Sequence, residues 1–264
     1  MLHNTRALSG YLRIPIFLGL LFFSLSAVAL TQYEQDVESL LINEELALAD
    51  DGWLVFYTAY DNEGVYLFGF GAFSAPNSNN NCCNGFSRIR TGEAGAKQGV
   101  QYIEVLSHTV SLNPDEVLES EFFQKQTIEA SDIGNTWRFE YDAKLPATLA
   151  LGSNSTADAF VRIIDPLNGF AVTHLIKNDS TSLSQNIWES RAIEFTFDNP
   201  DLAGQEFQFG MVNRQQNLES TSVYYDNIRF FQTNVEVPML PLFALSILFV
   251  GLVTITAARS ATAL

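Results

Sequence analysis

The sequence predicts an all-β, two-sheet antiparallel sandwich, flanked by an N-terminal signal peptide and a C-terminal transmembrane helix. Three observations predict it. Apolar and polar residues alternate with a period of two in several short segments. Clusters of Asp, Asn, Gly and Pro punctuate those segments at turn positions. Two apolar runs without acidic residues stand at the ends of the chain.

At the start, Arg6 and Arg13 precede an apolar run over 14–25, and Ala27-Val28-Ala29 follows it. A basic flank, a short apolar stretch and an A-x-A site make residues 1–29 a secretory signal cut after Ala29. The other reading is an uncleaved anchor, although the run is shorter than the ~20 residues a spanning helix needs. At the end, residues 237–258 carry no charge and are long enough to span a bilayer. Pro238 and Pro241 sit at the entry, where a missing N–H costs a helix least. Arg259 marks the far side, so the middle of the chain is placed outside the membrane.

The middle, 30–236, is the domain. Its strands are expected at 53–60, 65–70, 100–106, 122–128, 136–144, 159–164, 170–176, 193–197, 207–211 and 222–231. In 136–144, Trp137, Phe139, Tyr141 and Ala143 share one face, while Arg138, Glu140, Asp142 and Lys144 share the other. Ile193, Phe195 and Phe197 repeat the pattern, as do Phe207, Phe209 and Met211. Turns are expected at 61–64, 78–81, 132–134, 165–169 and 199–201. Only 33–48 reads as helical.

Charge bounds the partners. The chain has 264 residues, 30 acidic against 14 basic, for a net −16. Arg6, Arg13 and Arg259 are the only charged residues in the two ends, so the acidity belongs wholly to the middle. A nucleic-acid partner is excluded, because phosphate binding needs a basic surface. Two cysteines exclude a disulfide-stapled scaffold, and three histidines leave little for zinc.

The order of several short motifs resembles the galactose-binding-like jelly rolls of non-catalytic carbohydrate-binding modules. Asn43-Glu44-Glu45 leads to Asp51-Gly52-Trp53, and the Gln-rich 123–128 precedes Gly134 and the strand begun by Trp137. Trp188 introduces the penultimate region, and Tyr225-Asp226-Asn227-Ile228 closes the domain. The resemblance covers about 40–231 and implies a jelly-roll winding. It also implies a structural Ca²⁺ held by Glu44 or Glu45 together with Asp226, which suits a hard cation. The bland alternative is that Asp226 bonds a neighbouring loop. The C-terminal 237–264, with Val237-Pro-Met-Leu-Pro241, the apolar helix and Arg259, resembles a PEP-CTERM-type sorting tail. That implies a bacterial envelope or outer-surface location and a sorting protease as one partner. The lone Arg259, where a basic cluster is usual, leaves a permanent anchor as the other reading.

Candidate ligand contacts are Tyr57, Tyr60 and Tyr66, which flank the 61–64 turn, and the strand polar groups Arg162, Asn213 and Arg214. Trp53, Trp137 and Trp188 are assigned to packing. The Asp61-Asn-Glu-Gly64 run reads as a hairpin turn, since it lacks the remaining ligands of a calcium loop. Cys82 and Cys83 are adjacent, so in an oxidising envelope they close a vicinal disulfide or pair between molecules. G-x-S-x-G, H-E-x-x-H and P-loop motifs are absent, and His108 and His174 are isolated. Spacing nominates no carboxylate pair for glycan cleavage. The expectation is a non-catalytic surface protein that binds extracellular polysaccharide or matrix. The alternatives are a structural envelope component and, behind it, a carboxylate-dependent glycan hydrolase or lyase.

Overall fold

The computed structural model describes residues 29–78, 86–107, 116–147, 155–216 and 221–233. Residues 1–28 of the leader expected over 1–29, the expected C-terminal helix and sorting motif, Cys82, Cys83 and His108 lie outside the described residues. Among the described residues, no helix is long and apolar enough to cross a membrane.

Among the described residues, besides three 3₁₀ turns, twelve strands and one α-helical turn follow in order: β1 (Tyr33–Gln35), α1 (Ala47–Asp50), β2 (Leu54–Asp61), β3 (Tyr66–Ser74), β4 (Ser87–Thr91), β5 (Gln101–Ser107), β6 (Glu116–Thr127), β7 (Thr136–Lys144), β8 (Thr156–Asp165), β9 (Ala171–Asp179), β10 (Glu189–Thr196), β11 (Glu206–Gln215) and β12 (Thr221–Gln232). One sheet, here sheet A, runs β10-β7-β12-β5-β4, with β1 added along β12. The other, sheet B, runs β3-β2-β6-β11-β8-β9. Every pairing is antiparallel. The chain crosses between sheets after β1, β3, β5, β6, β7, β9, β10 and β11, which winds the domain as a jelly-roll sandwich.

Residues 33–48 are not the expected helix. Tyr33–Gln35 pairs with Ile228–Phe230 of β12, and the Gln35 side chain accepts the Val37 N–H at 2.8 Å. Val37 then takes φ of 65°, a left-handed conformation no helix interior accommodates. Only α1 is helical there, and it is a single turn. β4 was not among the expected strands, because Ser87-Arg-Ile-Arg-Thr91 has one apolar residue to signal a face. Ile89 alone of the five fills the core from that strand.

Alternation decides which groups meet between the sheets. From sheet B, Phe122 of β6 and Phe207 and Phe209 of β11 point inward, joined by Trp53 ahead of β2. From sheet A come Trp137 and Phe139 of β7 and Phe230 of β12. Trp53 stacks on Phe122 at 4.2 Å and 10°. Phe209 stacks on Phe230 at 4.7 Å, and Phe230 stacks on Trp137 at 4.7 Å. Phe209 also meets Phe139 at 5.2 Å. This aromatic layer is continuous from one sheet to the other. The assignment of Trp53 and Trp137 to packing holds.

Phe209→Ala removes the ring that touches both sheets and leaves a cavity that strands on all sides cannot collapse. Chemical denaturation should show a loss of about 3–5 kcal/mol. The same measurement on Leu167→Ala, at a position 98% exposed, should show almost none.

Candidate functional site

The outer face of sheet B carries a groove of about 750 Å³. Its floor is made by the residues that alternation turns away from the aromatic layer. β6 supplies Glu119, Glu121, Phe123 and Lys125; β11 supplies Glu206, Gln208 and Val212; β8 supplies Phe160, Arg162 and Ile164. Phe56 and Tyr60 of β2 rise on one side, and Phe170, Val172 and Leu175 at β9 on the other.

Arg162 is the centre. Its guanidinium donates to both oxygens of Glu121 at 2.5 Å each, a bidentate pair with both side chains mostly buried. Its Nε donates to Gln208 Oε1 at 2.6 Å. Gln208 in turn donates to Glu206 at 2.5 Å, and Lys125 donates to Glu206 at 3.0 Å. The guanidinium plane lies 4.8 Å from the Phe160 ring and 5.7 Å from Phe123. Five side chains from three strands thus fix one another, and the row is organised before any ligand arrives.

Gly210 lies in register between Phe123 and Phe160. A Cβ there would stand 2.7 Å from Phe123 Cβ and 2.2 Å from the Phe122 carbonyl oxygen. Glycine is therefore required for β6 and β11 to approach closely behind the groove floor.

At one end of the groove Tyr60 donates to Glu119 at 3.4 Å, and Arg214 lies 5.1 Å over the Tyr60 ring. Burial, and after it the neighbouring Glu121, push the Glu119 carboxyl above the usual carboxylate range. Burial and Glu119 likewise raise the Tyr60 hydroxyl.

Of the ligand contacts expected from sequence, Tyr60 and Arg162 line the groove, and Arg214 adjoins it through Tyr60. Asn213 does not. It sits on the inward phase of β11, fully buried, donating to the Val105 carbonyl at 2.7 Å across the sandwich. Tyr57 also faces inward, half-buried against Phe70 and Phe86. Tyr66 is exposed on β3 and meets Tyr60 edge-on at 6.3 Å, outside the groove lining. Trp188 packs on the outer face of sheet A, donating to the Glu93 carbonyl at 3.0 Å. Glu119, Glu121, Phe123, Phe160 and Gln208 line the groove without being among the contacts expected from sequence. Their signal was available as the out-facing phase of strands whose in-facing phase was legible.

Sheet A has a smaller hollow, about 410 Å³, lined almost wholly by charged and polar side chains. Arg138 and Arg229 share Glu140 there, and Arg191 pairs with Glu189. It offers no aromatic platform beyond Tyr141, whose ring belongs to the core.

The carboxylates expected to hold a metal are placed differently from one another. Asp226 is fully buried, with Oδ2 lacking a partner among the described residues. Burial, with Asp142, Glu38 and Asp36 nearby, pushes its carboxyl up to about 8. Glu44 and Glu45 are exposed, and their carbonyls accept from Asn77. Glu38 Oε1 accepts the Val100 and Gln101 N–H groups at 2.6 and 2.7 Å. Among the described residues, no three His, Cys, Asp or Glu side chains group tightly enough to hold a metal by themselves.

No protein-family model matches the chain, and no curated protein matches it. Solved structures give faint likenesses. An apo form cyclase from Fischerella sp. is 14% identical over 78% of this chain and 98% of that one, with a TM-score of 0.45. A xylan-binding domain from Paenibacillus barcinonensis is 10% identical over 58% and 86%, with a TM-score of 0.35. The enzymatically active domain of tailspike protein 4 from bacteriophage CBA120 is 11% identical over 69% of this chain, with a TM-score of 0.39. The chain spans about a fifth of the tailspike structure, 19% of its length.

Because Glu119 binds its proton more tightly in the folded domain than in the unfolded chain, protonation stabilises the fold. That contribution is complete below the unfolded carboxylate range and is lost as pH rises through the raised folded value. Glu119→Gln should therefore melt above the wild type, with a gap that opens as pH rises above the ordinary carboxylate value of about 4.3. A gap independent of pH would mean the Glu119 carboxyl is not perturbed.

Proposed function

We propose that this chain is an exported envelope protein whose jelly-roll domain binds a polysaccharide in the groove of sheet B. The groove itself carries the reading. It joins a preorganised row of Arg162, Glu121 and Gln208 to flanking rings of Phe56, Tyr60 and Phe170, within a cavity the size of an oligosaccharide site. Planar amide, carboxylate and guanidinium groups match the vicinal hydroxyls of a sugar, while ring faces match its C–H faces. The strand order lets a chain-like ligand lie across β2, β6, β11 and β8. Export and anchoring rest on the sequence of the two ends, with the helix over 237–258 as the membrane contact and a sorting protease as a partner of the tail.

Affinity electrophoresis and calorimetry against a panel of soluble polysaccharides test the groove. Tyr60→Ala and Phe170→Ala should each weaken binding at least about tenfold, equivalent to 1.4 kcal/mol. Tyr66→Ala and Tyr57→Phe should leave it unchanged. Failure of every polysaccharide to bind would sink the proposal. Release of reducing ends that Glu119→Gln abolishes would instead favour a carboxylate enzyme.

One observation favours a structural envelope or matrix component. β3 is an edge strand on which Val65 just before it and Tyr66, Leu67, Phe68, Phe70 and Phe73 are all 42–60% exposed, with no charged residue among them. Such an edge invites self-association. Concentration-dependent sedimentation in the absence of any bound polysaccharide is the sign of that role.

For Ca²⁺, the orphaned and buried Asp226 oxygen fits a hard cation, and Asp226 would hold it with Glu38, whose charge bears on it, in place of the exposed Glu44 or Glu45 that the resemblance implies. Bound there, the ion would neutralise the acids Asp36, Glu38 and Asp142 that surround Asp226. Thermal melts should rise with Ca²⁺, fall back with chelator, and lose the response in Asp226→Asn. An identical midpoint with Ca²⁺ and with chelator contradicts the cation.

A further inference from the structure

The most specific unexplained contact lies at the first residues of the domain. Leu30 is buried in the main core, while Ala29 before it is exposed. The Leu30 nitrogen stands 3.1 Å from Asp132 Oδ1 and 3.2 Å from Oδ2, astride the carboxylate. Asp132 is 1% exposed. Its recorded partners are main-chain N–H groups, those of Leu30 and of Glu129 at 2.9 Å. Among the described residues it forms no salt bridge, unlike the buried Glu104, which is paired with Arg88. A buried carboxylate without a cation is costly to the fold.

The nitrogen facing it is the one that cleavage after Ala29 would free. We propose that removal of the leader creates the missing cation, so that the new α-ammonium of Leu30 forms a buried ion pair with Asp132 and latches the mature N-terminus onto the domain. This rests on the export reading above and is independent of what the groove binds. In the step, a leader peptidase adds water across the Ala29–Leu30 bond. The hydroxyl goes to the Ala29 carbonyl carbon, which departs as a carboxylate, and the freed Leu30 amine takes up protons to become an ammonium. One peptide N–H bridging two oxygens becomes three N–H donors, and an unpaired charge becomes a paired one.

The titratable groups on the elements packed around this contact are almost all acids. Glu129 lies on the same turn, and Asp198 and Asp201 lie on the segment bonded to it through Gly134–Phe197 and Ile128–Gly204. The base on the adjoining strand β6, Lys125, is already paired with Glu206. Among the described residues of these elements no unpaired cation competes for Asp132, and the surrounding acids favour the ammonium.

An α-amino group titrates ordinarily near about 7.7–8.0, and this pairing raises its folded-state value. The latch therefore stabilises fully below about pH 7.7 and is lost as pH rises through the raised value. The test uses the mature chain secreted from its own leader, compared with a chain that retains Val28-Ala29 and with Asp132→Asn in both backgrounds. Intact mass should place the N-terminus at Leu30. At pH 6.5 the mature chain should melt about 3–8 °C above the extended one. That advantage should vanish above about pH 10, and it should be absent at every pH in the Asp132→Asn pair. Cleavage at another bond, or an advantage that survives pH 10 or the Asp132→Asn change, overturns the latch. No cleavage at all overturns the export reading with it, and leaves the groove to its own test.

Discussion

The contact between Phe209 and Phe230, ring on ring at 4.7 Å, is where the two sheets become one domain. Sheet B delivers Phe209 from the middle of β11, and sheet A delivers Phe230 from β12. Around that stack the rings of Trp53, Phe122, Trp137, Phe139 and Phe207 close a buried apolar layer. A strand has only two faces, so fixing Phe207, Phe209 and Met211 inward fixes Glu206, Gln208, Gly210 and Val212 outward. The groove is the reverse side of the core. A register slip of one residue on β11 would bring Gln208 into the aromatic layer and dissolve the groove at the same time.

That coupling explains the polar chemistry of the outer face. Arg162 and Glu121 are nearly as buried as core residues, yet they lie on the far side of the sheet from the apolar layer. Isolated, each would be unstable there; paired bidentately and braced by Gln208, they form a rigid polar surface between two rings. The acidity of the domain is distributed in the same manner. Glu121, Glu206, Glu104 and Glu140 each hold a basic side chain. Among the described residues Asp226 and Asp132 hold none, and each lies where the start of the domain meets a later element. The first is where we propose a metal ion and the second where we propose the mature amino terminus.

The sandwich was legible because its strongest strands alternate cleanly. In 136–144 the four inward residues are all apolar, and the structure buries all four. β4 was illegible for the converse reason, since Arg88 and Arg90 dominate a strand whose single inward apolar residue is Ile89. Residues 33–48 misled because scattered acids and leucines imitate a helical face, whereas the Gln35–Val37 turn is set by a side-chain bond no periodicity reveals. At the site, Tyr60 and Arg162 could be proposed from residue type. Asn213 was lost to strand phase: its neighbour Arg214 faces out, and it faces in. Glu121 and Gln208 looked like ordinary surface residues, because their roles depend on registers between strands far apart in sequence, which the chain does not display locally.

The central claim is that the outer face of sheet B is where this protein meets its ligand. Backbone amide shifts followed by NMR during titration with an oligosaccharide fragment of a bound polysaccharide address it directly. The account predicts perturbations concentrated on β2, β6, β11 and β8, with the Arg162 Nε and Gln208 side-chain amide signals among the largest. Perturbations confined to sheet A or to the turns at the sandwich ends, with β6 and β8 silent, would contradict it.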